Sequence, residues 1–389
     1  MIQSIKYTPS ETNSPLTVVL PRSKSISHRH LFLHFLHPDS GTLPSVSDAR
    51  DTKIFQAALS STAQTIDFQD AGTPSRFALV YFAVTNQPKT LTGNASLKKR
   101  SIADLVHTLQ AQGALIEYLE NPGFFPVALK QGITQSNPIW EIKTQESSQF
   151  VSALMLGITA LKPIPKIRVT DLTHSWSYIH LSASILQHWG FNVTIDSAEI
   201  IIGGSPRTAV PIDVEIDWGS ASFVYLLALF TKKTFRIIGA KRNSLQSDYQ
   251  AVAIFEQLGV ATEFESNDAL IRPHSKATPP SEFDGSQCID LIPALASAYA
   301  YLQKDVTFFG IEKLAVKESN RLEGIARHLN PLGFSWLAQE GGFRLSRRSS
   351  VLPEAFNIIT EHDHRMAMAF APWAAVIPQV HIDDTGCTE

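Results

Sequence analysis

The stretch LSASILQHWGFNVTIDSAEIII, residues 181–202, decides the fold. Apolar residues recur at helical spacing over 181–189 and stop at Gly190. An alternating strand follows over 191–195, then a polar turn at 196–198 and a second strand over 200–202. Glycine suits the left-handed backbone that ends a helix, and a short polar turn between two strands signals a hairpin. The same succession recurs. Residues 105–112 end at Gly113 before strands over 114–119 and 125–129; 251–258 end at Gly259 before 260–264 and 269–271; 325–332 end at Gly333 before 334–337 and 343–345. These glycines lie 69–77 residues apart, too far for a common solenoid repeat. The pattern predicts domains assembled from duplicated α/β units, with a weaker copy over 52–68 that lacks the glycine.

A chain of 389 residues has two domains as its natural prior. A hydrophobic fraction of 44%, a charged fraction of 18% and a net charge of −3 describe a globular protein with no global pull toward nucleic acid or anionic lipid. Any anion site must therefore come from local clustering. Only Cys288 and Cys387 are present, which excludes a disulfide framework and a cysteine-based zinc site. The first 20 residues lack a signal-peptide pattern, and apolar runs such as 150–161 fall short of the roughly 20 residues a membrane helix needs. A cytoplasmic location is the expectation.

Basic and hydroxyl side chains gather where helices begin. Residues 20–29, LPRSKSISHR, run from a strand through Pro21 into a helix, with Ser25 and Arg29 one turn apart. Residues 70–76, DAGTPSR, place Gly72 where backbone can approach a ligand, just before a helix over 77–84. SLKKR at 96–100 precedes the helix 102–109, and Ser147-Ser148-Gln149 open the helix 150–161. SWSY at 175–178 starts another. In KESNRLEGIARHL, 317–329, Lys317 and Arg321 are four apart on one expected helical face; DHR at 363–365 opens the helix 366–371. Each segment alone also reads as a cap or a solvated ion-pair face. Together they are harder to dismiss, because cations at helix starts oppose the dipole unless an anion is bound. No P-loop, dinucleotide loop or metal-ligand cluster is present, and His28, His30, His34 and His37 are spaced too irregularly for a metal. The ligand expected is a small molecule carrying phosphate and carboxylate.

Read in order, SKSISHR, AGTPSR, LTGNASLKKR, SSQFVSAL, EIDWGSAS, SLQSD, KESNRL and DHRMAMAF resemble the 5-enolpyruvylshikimate-3-phosphate synthase family over nearly the whole chain. The resemblance implies an α/β fold of two similar lobes, each of three α/β repeats, the enolpyruvyl transferase inside-out α/β barrel. Residues 1–20 with 217–389 are expected to form one lobe and 22–212 the other. It implies transfer of the enolpyruvyl group of phosphoenolpyruvate to the 5-hydroxyl of shikimate 3-phosphate, with release of phosphate. No metal or organic cofactor is implied, the partners are the two small substrates, and a monomer is expected. Lys24, Ser25, Arg29, Ser147, Ser148, Ser175 and Tyr178 correspond to shikimate 3-phosphate contacts, joined by Asp290 and Lys317 at the reacting hydroxyl. Lys24, Gly72, Arg100, Gln149, Arg321 and Arg365 correspond to the phosphoenolpyruvate cradle. Asp290 would take the hydroxyl proton; Glu318, with Lys24, would move the proton at the methylene carbon.

The chain departs from the family pattern in places. Arg22 stands where many members have a small residue, Asp70 where Asn is usual, Ser101 for Pro, Asn320 for Asp and Lys313 where some have Asn. The sequence stops at Cys387-Thr388-Glu389, where members continue with a phosphoenolpyruvate-binding Lys. The expectation is therefore a first lobe short of that cation and its last element. Two alternatives follow: a catalytically impaired homologue that binds phosphorylated ligands, and the related UDP-N-acetylglucosamine enolpyruvyl transferase. The latter's cysteine-bearing loop is absent.

Overall fold

A computed structural model describes residues 3–9, 14–40, 45–143, 147–171, 176–207 and 213–388. The chain forms two compact units, Met1–Pro21 with Glu215–Glu389 (the flanking unit) and Arg22–Val214 (the inserted unit). Each has its own apolar core.

The inserted unit holds α1 (Lys24–Leu36), α2 (Arg50–Leu59), α3 (Gly72–Val84), α4 (Ala103–Gln110), α5 (Ser148–Gly157) and α6 (Ser177–His188). Its sheets share one plan. Strand Thr65–Asp67 runs parallel to Lys89–Thr92 with α3 between them, and a hairpin of Leu115–Tyr118 and Val127–Gln131 adds antiparallel to the second strand. Strands Ile139–Ile142 and Lys166–Val169 repeat this around α5, completed by the hairpin Phe191–Asp196 and Glu199–Gly204. Each repeat is thus a helix between two parallel strands, then a second helix (α4, α6) and a hairpin; the glycine pattern marks that second helix and the hairpin after it.

The flanking unit holds α7 (Trp218–Thr231), α8 (Ala251–Gln257), α9 (Ile292–Tyr301), α10 (Arg321–Leu329) and α11 (His364–Phe370). Strand Leu16–Val19 pairs parallel with Phe235–Ile238, so the first repeat of this unit is interrupted by the whole inserted unit. Glu282–Asp284 and Val306–Phe309 form the next parallel pair, around α9. The last sheet has three strands: Ala355–Ile358 parallel to Gln379–Ile382, with Gln3–Ile5 antiparallel at its edge.

Local chemistry fixes these elements. Gly113, Gly190, Gly259 and Gly333 have φ between 81° and 102°, where any side chain would strain the backbone. Two-residue hairpin turns follow the last three, with Ser197 and Ser266 at φ near 50°, whereas residues 119–126 join the strands after Gly113. Helix starts are capped by side chains: Ser23 accepts from the Ile26 amide, Asp217 from Ser220, Asn320 from Glu323 and Asp363 from Arg365. Asn320 corrects one sequence expectation. Its cap starts α10 at Arg321, so Lys317 lies in extended backbone before the helix and shares no helical face with Arg321. Arg22 also finds a role, donating to the Asp213 carboxylate at 2.6 Å and the Val214 carbonyl at 2.7 Å, where chain enters and leaves the inserted unit.

Helix α3 packs on α5 closely at Gly157. A β-carbon there would lie 2.5 Å from Cγ1 of Val80, a stiff, fully buried side chain. Gly157→Ala should therefore cost about 1–3 kcal/mol despite alanine's better helix propensity. Val80→Ala in the same chain should recover part of that loss. Urea unfolding of the single and double variants checks both.

Candidate active site

In the flanking unit the site is organised by Arg321, whose side chain is 1% exposed. Its Nε donates to Asp363 Oδ2 at 2.8 Å and its Nη2 to Asp363 Oδ1 at 3.2 Å. Nη1 donates to Asp290 Oδ1 at 2.9 Å, and Nη2 also reaches Glu318 Oε2 at 2.6 Å. Burial opposes its charge, but Glu318, Asp363 and Asp290 more than restore it and raise its pKa. Burial likewise opposes ionisation of Asp363, and Arg321 overcomes it, holding that carboxyl below the usual range. Asp363 therefore serves twice: it caps α11 and it anchors Arg321.

Asp290 lies in the turn Ile289–Leu291 that feeds α9. Lys317 Nζ is 3.3 Å from its Oδ1, and Arg365 Nη2 is 3.7 Å from its Oδ2. Arg365 also donates to the Asp290 carbonyl at 3.0 Å. Burial pushes the Asp290 carboxyl up, yet Lys317, Arg365 and Arg321 together hold it well below its ordinary range, so it is a carboxylate.

On the far side of Arg365 stand Asp217 and Asp248. A β-carbon on Gly219 would sit 2.8 Å from Asp248 Oδ2, 3.0 Å from Arg365 Nη2 and 3.0 Å from Asp217 Oδ1. Only glycine leaves room for these groups at the start of α7. Asp248 Oδ1 is buried without a hydrogen-bond partner. Burial pushes its carboxyl up to about 7; Arg365 pulls it down, while Asp290 and Asp217 push it further up.

In the inserted unit two guanidiniums converge on Gly72, the first residue of α3. A β-carbon there would lie 2.8 Å from Arg100 Nη1 and 3.2 Å from Arg76 Nη1. Arg76 donates to Gln149 Oε1 at 2.6 Å and lies over the Phe150 ring at 5.5 Å. Arg100 makes one long bond, 3.4 Å to Ser96 Oγ, and its Nε is buried with no partner. Two guanidiniums so close, at a glycine that leaves the space between them open, form a cradle for a phosphate or carboxylate. Lys24, the first residue of α1, lies 2.9 Å from Asp51 Oδ2.

Arg29 belongs to the interior. It is 2% exposed and donates to Ser182 Oγ, Ser152 Oγ and the carbonyls of Ser25 and Tyr178, at 2.8–3.1 Å. Burial lowers its pKa to about 10, with Tyr178 acting in the opposite sense. It joins α1, α5 and α6 beneath Ser25 and Tyr178. Ser147 caps α5 by accepting from the Gln149 amide at 3.2 Å, and Ser148 is buried behind it.

Of the residues singled out from sequence, Asp290, Lys317, Glu318, Arg321 and Arg365 meet within the flanking unit, and Gly72, Arg100 and Gln149 meet within the inserted one. Ser175 lies outside the described residues. Asp363, Asp248, Gly219, Arg76 and Asp51 were not assigned from sequence. Asp248 and Gly219 stand inside SLQSD and EIDWGSAS, so those motifs carried the signal without showing which residue mattered. Among the described residues no group of three His, Cys, Asp or Glu side chains is placed to hold a metal, and no helix is long and apolar enough to cross a membrane.

The family model for EPSP synthase (3-phosphoshikimate 1-carboxyvinyltransferase) matches residues 53–389. The 3-phosphoshikimate 1-carboxyvinyltransferase of Bacteroides fragilis (strain YCH46) is 32% identical over 371 residues, covering 95% of this chain and 90% of that protein. The enzyme of that name from Shewanella piezotolerans is 28% identical, covering 96% and 93%. The EPSP synthase structure from Acinetobacter baumannii, 19% identical, covers 99% of this chain and 94% of its own with a TM-score of 0.71, a likeness of fold.

Two measurements test this charge arrangement. Asp363→Ala strips a buried guanidinium of its bidentate partner and should cost about 3–5 kcal/mol in denaturant unfolding. Glu318→Gln, at a site 38% exposed, should cost far less. Asp248 predicts a pH effect of opposite sign to ordinary acid unfolding. Its folded pKa, about 7, lies above the ordinary 3.8, so the native state holds a proton that the unfolded chain loses between those values. Its contribution to stability is therefore lost as pH rises from about 4 to 7. The melting-temperature difference between the parent chain and Asp248→Asn should shift against the parent across that window; a pH-independent difference would contradict the assignment.

Proposed function

The chain belongs to the EPSP synthase family, and on that premise we propose that it transfers the enolpyruvyl group of phosphoenolpyruvate to the 5-hydroxyl of shikimate 3-phosphate, using Asp290 as the base. The observation that carries the residue assignment is Asp290 itself. It is an ionised carboxylate ringed by Lys317, Arg321 and Arg365. The same three side chains are also shared with Asp363, Glu318 and the acids beside Arg365, and their chemistry suits substrates carrying phosphate and carboxylate. As anions draw the cations off, Asp290 becomes a better base.

The chemistry then balances as follows. The 5-hydroxyl oxygen of shikimate 3-phosphate attacks the central carbon of phosphoenolpyruvate while Asp290 takes its proton. Glu318 gives a proton to the methylene carbon, which forms a tetrahedral adduct. In the second step the resulting methyl carbon returns that proton to Glu318, the bond between the central carbon and the phosphate oxygen breaks, and phosphate departs with the proton that Asp290 had taken. Lys317 orients the reacting hydroxyl and Lys24 assists at the methylene carbon, its ammonium held by Asp51. In the inserted unit, Gly72, Arg76, Arg100 and Gln149 bind phosphoenolpyruvate. Ser25, Ser147, Ser148 and Tyr178 hold shikimate 3-phosphate, positioned from below by Arg29. The relatives that span the chain carry this transferase name, and neither alternative raised from the sequence is favoured by them.

Asp290→Asn tests the base. The amide preserves shape and a hydrogen bond but cannot accept the proton. Turnover should fall by about 10²–10⁴, while shikimate 3-phosphate binding, followed by calorimetry, stays largely intact. Near-normal turnover would rule the assignment out.

A further inference from the structure

Asp70 puts a carboxylate beside a cradle for anions. It stands two residues before Gly72, in a loop stitched to the segment that carries Arg100. The Ala71 amide donates to the Phe68 carbonyl at 2.9 Å, and the Asn94 amide to the Gln69 carbonyl at 2.7 Å. At Gly93 a β-carbon would fall 2.5 Å from that Gln69 oxygen, so only glycine allows the two loops to approach this closely. An uncompensated negative charge here would repel the ligand that Arg76 and Arg100 attract. The structure supplies the compensation from a third element. Arg50, the first residue of α2, brings Nη2 to 3.4 Å from Asp70 Oδ1, and the same nitrogen donates to Gln69 Oε1. The next residue of α2, Asp51, holds Lys24. The start of one helix thus fixes a cation on the loop's acid and an acid on the site's lysine.

We propose that Arg50 is a positioning residue that acts through Asp70: it offsets that carboxylate's charge so that the Gly72–Arg100 cradle keeps its affinity for the anionic enolpyruvyl donor. This rests on reading that cradle as the phosphoenolpyruvate subsite. Arg50 acts through Asp70 and touches no substrate, which makes its effect electrostatic and removable.

Steady-state kinetics on the full chain test it, with phosphoenolpyruvate varied at saturating shikimate 3-phosphate. Arg50→Gln should raise KM for phosphoenolpyruvate roughly two- to fivefold, the range open to an exposed ion pair, with kcat little changed. The rise should shrink when ionic strength is increased. Arg50→Lys, which keeps the charge, should stay near the parent value. The double variant Arg50→Gln/Asp70→Asn should return to it, since the charge needing compensation is gone. A merely structural role for Arg50 would give neither the salt dependence nor the rescue. Arg100→Gln is the control for the subsite. If it raises KM while Arg50→Gln does not, the Arg50 proposal alone is overturned. If neither changes KM, the subsite reading fails and the proposal with it. A double variant no better than Arg50→Gln alone also overturns the proposal.

Discussion

A buried guanidinium cannot remain unpaired, and the flanking unit is arranged around that fact. Arg321 lies at the start of α10 with almost no exposure, so its charge must be met by fixed carboxylates. Asp363 meets it in bidentate fashion and simultaneously caps α11, which fixes where Arg365 begins. Asp290 takes Arg321's third nitrogen and is thereby held at the mouth of α9. Arg365 reaches back to the Asp290 carbonyl and lies against Gly219. Three helix starts are thus tied together by one cation.

The inserted unit solves a different problem. Its guanidiniums at Gly72 donate to an amide and a hydroxyl. The flanking cations are balanced by carboxylates.

Where the signal was local, the sequence was readable. The helix-ending glycines, the polar hairpin turns and the capping residues each act within a few positions, so the repeated α/β plan followed from them. The weak copy over 52–68 lacked its glycine because Ser60, in right-handed backbone, ends α2 instead. The site was legible where family motifs supplied it, as at Asp290 and Arg365. Pairings between distant segments were not. Nothing in the sequence near Asp70 indicates that Arg50 reaches it, or that Asp51 meets Lys24. Helical spacing misled at Lys317, because the cap at Asn320 turns four-residue spacing into a loop and Lys317 reaches Asp290 from there. Nothing near Arg29 in sequence shows that its donors reach Ser152 on α5 and Ser182 on α6.

The interrupted repeat also bears on how the chain is made. Leu16 pairs with Phe235, and Gln3 with Ile382, so both N-terminal strands leave the ribosome long before their partners exist. At roughly 5–20 residues per second, Leu16–Val19 waits on the order of 10–40 s for its parallel neighbour. The inserted unit, contiguous in sequence, has everything it needs in that interval. A nascent chain halted before residue 235 therefore carries one finished unit and two unpaired strands. Those strands are short, and such brevity limits edge-to-edge association while they wait.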